Sequence, residues 1–104
     1  MMTSLRLGST RAPTPSCLAL WFERRPCQLV HSRDIARSYA RPQRAVQRAL
    51  AAFAAAGHIA LVVDETIGEG WSWTDSASPA QVGAHYRRRE AIARAAERAA
   101  VVRP

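Results

Sequence analysis

The 104-residue chain contains no lysine: all 15 of its basic residues are arginine, set against 8 acidic ones for a formal net charge of +7. Cysteine is scarce as well, with only Cys17 and Cys27. They form no Cys-x-x-Cys pair, and two are too few for the disulfide framework that staples small secreted domains. No apolar run approaches the ~20 residues that span a bilayer, so no membrane partner is expected. A phosphate-cradling glycine loop, a His-Glu-x-x-His helix and a nucleophile elbow are all missing, and no enzyme is expected. Cys27 and His31 have the spacing of half a metal site. Cys17, His58 and His85 supply no second pair, so neither a metal nor another cofactor is expected. The class left standing is a binding protein of the reducing cytoplasm.

What is present begins with length, which suits one small domain. A surplus of seven positive charges on so small a body sets up a field that attracts polyanions, and nucleic acid is the first partner expected. Abundant arginine and alanine without lysine is also what a GC-rich genome produces, and that accounts for part of the charge. Residues 1–15 carry Gly8, Pro13 and Pro15 with too little apolar content to fold, and read as a disordered basic N-terminal arm. From Ser16, the pattern Leu18, Leu20, Trp21, Phe22 predicts a short helix that ends by Pro26. Gln28 to His31 reads as a short extended piece. Ser32 is placed to cap a second helix, with Asp34 in its first turn and Ile35, Ala36 and Tyr39 on one face.

Pro42 breaks the alanine- and arginine-rich stretch in two. Inside a helix it costs roughly 3 kcal/mol, and at the first helical position almost nothing. A third helix therefore starts at Pro42, buries Val46, Ala49, Leu50 and Phe53, and closes at Gly57, the residue type expected at a left-handed cap. His58 to Val63 reads as a strand, Asp64 to Gly70 as its turn, and Trp71 to Thr74 as the return strand with both tryptophans on one face. Ser78, Pro79 and Gln81 form a capping box that opens a last helix running to about Val102.

This order, with Leu18 to Phe22 as first helix, SRDIARSY as positioning helix and ARPQRAVQRALAAFAAAGHI after it, resembles the winged helix-turn-helix superfamily. The last stretch is similar to the recognition helix of bacterial regulators of the GntR, IclR and MarR kind, although Tyr39 and Ala40 stand where leucine and glycine are common. The resemblance implies a mainly α fold with a small β-hairpin: a winged helix-turn-helix domain over residues 16–75 and a long C-terminal helix over residues 76–104. It further implies a sequence-specific duplex-DNA-binding protein, a small transcriptional regulator. Gln43, Arg44, Gln47 and Arg48 would read base edges in the major groove, and Ser32, Arg33, Arg37 and Arg41 would meet phosphates. The same fold serves accessory factors of plasmid or phage replication, partition and recombination.

The hairpin carries Asp64, Glu65, Glu69 and Asp75 and no arginine. It is expected to stand off the duplex or to face a protein partner, and a winged-helix protein-interaction module is the rival function. In the last helix Val82, Tyr86, Ile92, Ala96 and Ala99 read as one apolar side, the seam of a homodimer, with Glu90 and Arg94 as a surface pair.

Overall fold

The Thr14 hydroxyl accepts the Cys17 N–H at 3.3 Å, and Pro15 follows at the first helical position, where its missing N–H costs nothing. These two residues start α1 (Pro15–Arg24) ahead of the expected Ser16. The computed structural model describes residues 11–74 and 77–102, so residues 1–10 of the arm expected over residues 1–15, and Asp75 of the hairpin, lie outside the described residues. Residues 11–15, assigned to that arm, belong instead to the folded body, and Pro13 is buried. The described residues are mainly helical with one antiparallel hairpin. After α1 come α2 (Ser32–Tyr39), α3 (Gln43–Ala55), β1 (Ile59–Asp64), β2 (Gly68–Trp73) and α4 (Pro79–Val102).

Helix α1 buries Leu18, Ala19, Trp21 and Phe22, and α2 buries Ile35 and Ala36 against it and α3. Ser32 does not cap α2. His31 occupies the cap position without a side-chain bond, and Ser32, the first helical residue, turns its Oγ to accept Gln43 Nε2 at 3.1 Å. The α2–α3 turn runs through Ala40 in the left-handed region (φ 52°, ψ 49°), and the Arg41 N–H reaches back to the Ala36 carbonyl at 2.9 Å. An alanine there carries a Cβ penalty of about 1–2 kcal/mol that glycine escapes, at some cost in unfolded-state entropy. Ala40→Gly is therefore expected to stabilise the fold by ~0.5–1 kcal/mol, read as a Tm rise of roughly 2–8 °C. An unchanged or lowered Tm contradicts this turn.

Pro42 keeps an extended ψ of 136° and serves as the cap, so α3 starts one residue later than expected, at Gln43. Its buried residues are Ala45, Val46, Leu50 and Phe53, and Gly57 at φ 91° turns the chain into β1. The hairpin registers from Ile59↔Trp73 to Asp64↔Gly68. Its return strand begins earlier than expected because the Asp64 carboxylate accepts the N–H groups of Thr66 at 2.7 Å and Ile67 at 3.0 Å, closing the turn quickly. The Ile67 and Thr66 bonds, in that order, hold the Asp64 carboxyl below its usual pKa. Their stabilisation is full above the ordinary carboxylate pKa and is lost as pH falls through the lowered one. Val30 exchanges two 2.8 Å backbone bonds with Trp71, so the short extended piece docks on β2.

The capping box forms as expected: Gln81 N–H donates to Ser78 Oγ at 3.1 Å and Ser78 N–H to Gln81 Oε1 at 3.2 Å. Helix α4 then packs antiparallel on α1 until Glu90, whose carboxylate accepts the Ser16 N–H at 3.2 Å and its hydroxyl at 2.6 Å. Ser16, rather than Arg94, thus receives this carboxylate. Val82 is part of the core, and the Tyr86 hydroxyl lies 3.0 Å from His58 Nε2. The expected apolar side of α4 is therefore split. At about 100° per residue, Tyr86 and Ile92 stand roughly 120° apart, so a face that buries the first exposes the second. Residues 91–100 are all exposed, Ile92 at 65%.

Candidate nucleic-acid interface

Burying Val46, Leu50 and Phe53 obliges the opposite side of α3 to face outward. Gln43, Arg44, Gln47 and Arg48 accordingly stand exposed on its first two turns. Arg33 and Arg37 are exposed on α2, while Ser32 and Arg41 are half-buried. Arg41 donates from Nη1 to the Arg11 carbonyl at 2.9 Å, which ties residue 11 to the α2–α3 turn.

The starts of α2 and α3 and the hairpin enclose a cleft of about 420 Å³. Ser32, Arg33, Gln43 and Gln47 line one wall, and Leu61, Ile67, Glu69 and Trp71 line the other. Arg44, Arg48 and Arg41 lie outside this cleft, and Arg37 borders a separate depression beside Trp21 and Asp34. The sequence-derived base-contact set is thus contiguous along α3, whereas the phosphate set is spread over two sides of α2. Arg25, the residue that closes α1, is taken up locally: its guanidinium carbon lies 3.5 Å from the centroid of the Trp21 ring, an arrangement that favours a cation.

The apolar wall was missed in the sequence. Leu61 (48% exposed) and Ile67 (62% exposed) stand uncovered, and the register places Ile59, Leu61 and Val63 across from Trp73, Trp71 and Glu69. The strand's alternation carried that signal, read only as evidence for a strand. Trp71 and Trp73 behave as packing residues. Trp73 joins the core aromatics and donates its indole N–H to the Ala77 carbonyl at 3.0 Å.

Chemically, the α3 face presents guanidinium donors and amides that both donate and accept, groups that pair with flat hydrogen-bonding edges. The hairpin wall presents carboxylate and hydrocarbon. Among the described residues no three His, Cys, Asp or Glu side chains are grouped to hold a metal, Cys17 is half-buried and Cys27 exposed. No described helix is long and apolar enough to cross a membrane. No family model, curated protein or solved structure matches the chain.

Proposed function

We propose that the chain is a winged helix-turn-helix protein that binds duplex DNA by setting the first two turns of α3 into the major groove, as a small transcriptional regulator. The observation that carries this reading is the division of α3. One side is sunk in the core, and the other bears Gln43, Arg44, Gln47 and Arg48 in the open. A groove about 12 Å wide admits one helix, and these are the side chains that pair bidentately with guanine and adenine edges. Gln43 leaves Ser32 Oγ to do so, which frees the serine hydroxyl for phosphate. Arg33, Arg37 and Arg41 add backbone contacts that position the protein without reading sequence.

The test is anisotropy of a labelled duplex titrated at several salt concentrations. Three arginine–phosphate contacts predict a slope of log affinity against log salt of about −2.7, which is roughly a fortyfold loss between 50 and 200 mM. A flat response, or no binding at low salt, overturns the reading and favours the protein-interaction module.

A second copy enters through the far half of α4, where Ile92, Ala96 and Ala99 are exposed and the alanines permit close approach between helices. So short a seam buries far less than the ~800 Å² per partner of a stable interface, so pairing is coupled to DNA. Binding to two half-sites one helical turn apart is therefore cooperative. Ile92→Gln combined with Ala96→Gln is expected to abolish that cooperativity and leave single-site affinity intact. Cooperativity that survives the double change places the contact elsewhere.

A further inference from the structure

The hairpin has an open edge, and its geometry is defined by its neighbours. Trp71 gives both its backbone bonds to Val30, so its main chain points away from β1. In an antiparallel ladder, the residue opposite such a position also points outward. The opposite residue is Leu61, and the alternation makes Ile59 and Val63 outward too. A bond from Thr74 N–H to the His58 carbonyl, at 2.9 Å, agrees with this phase. No described strand pairs with that side of β1.

A bare edge of this kind is normally blunted by charge, proline or a bulge. Here Ile59 to Val63 contains neither charge nor proline, and Leu61, Val62 and Val63 are 48%, 37% and 73% exposed. Acids crowd the tip at Asp64, Glu65 and Glu69, and no arginine occurs from residue 58 to 74 on a chain that is otherwise strongly basic.

We infer that β1 is a docking edge that takes an extended segment of a partner protein by strand addition, with apolar side chains against Leu61 and Val63 and arginine or lysine against the acidic tip. Main-chain bonds to the outward groups of Leu61 and Val63 supply affinity, and side-chain pockets supply choice. The acids select a basic segment and turn away nucleic acid. Leu61 shares the cleft with Gln43 and Gln47, but the pairing groups are main-chain groups of β1 and not α3 side chains, so strand addition and DNA binding are read by separate measurements.

The test titrates the full chain with a short synthetic peptide that alternates valine and threonine between arginines, followed by backbone amide shifts and amide exchange. Exchange is expected to slow at Leu61 and Val63, whose N–H groups the free hairpin does not use. Val63→Pro deletes one outward donor while sparing the β1–β2 ladder, and is expected to weaken the peptide about tenfold with DNA affinity unchanged. A peptide with alternate amides N-methylated reports the same loss on the unaltered protein. Replacing the peptide's arginines by glutamates, or making Glu65→Gln with Glu69→Gln, weakens binding several-fold. Shifts centred on α3 or α4, equal binding of the glutamate peptide, or undiminished binding of the N-methylated one each overturn the inference. So does slow exchange at Leu61 and Val63 that grows with protein concentration alone, which assigns the edge to a second copy.

Discussion

Phe53→Ala is expected to cost ~3–5 kcal/mol, a large share of the ~5–15 kcal/mol that holds a small domain folded. Phe53 is 3% exposed, and its ring centroid lies 4.8 Å from His58, 5.8 Å from Trp73, 6.0 Å from Tyr86 and 6.4 Å from Phe22. Those neighbours come from the α3–β1 junction, β2, α4 and α1, so one ring is shared by nearly every element. Truncating it opens a cavity that no single neighbour can fill, because each is anchored to a different part of the chain. Urea unfolding followed by far-UV circular dichroism measures the loss. A cost below about 1 kcal/mol means the aromatic cluster is not the centre of the core.

The second large effect is on sequence preference. Arg44→Ala and Gln47→Ala are each expected to remove ~1–3 kcal/mol of base discrimination, roughly five- to 150-fold between preferred and altered sites. Both side chains are exposed on the outward face of α3, so neither change disturbs the core. Arg33→Ala, on α2, is expected to weaken all duplexes about equally, since a phosphate contact carries no sequence information. Binding to a randomised duplex pool, followed by sequencing of the bound fraction, separates the two outcomes. If Arg44→Ala keeps the preferred sequence at full discrimination, the groove-facing assignment of α3 is wrong.

The elements themselves were legible in the residues because their boundaries rest on local chemistry. Pro42 cannot continue α2, Gly57 takes a φ that most residues avoid, and Ser78, Pro79 and Gln81 satisfy each other's backbone within one turn. The 3.6-residue spacing of Val46, Leu50 and Phe53 likewise settled which side of α3 faces solvent. Errors of one residue, at Ser32 and Pro42, reflect a choice between cap and first turn that depends on the neighbouring helix: Ser32 Oγ is taken by Gln43.

What crossed between elements was hidden. Nothing near Glu90 in the chain points to Ser16, nor does His58 point to Tyr86, because each partner is brought close only when α4 lies back along α1. The same packing divided the apolar residues of α4. Val82 and Tyr86 went to the core and Ile92 to solvent, since α1 begins at Pro15 and offers nothing beyond Glu90 to cover the far half. The cleft that joins Gln43 and Gln47 to Leu61 and Ile67 also had to wait for the hairpin to fold beside α3. Side-chain periodicity is a property of one segment and is written in that segment. The partner a face meets is set by where other segments end, which only the folded chain decides.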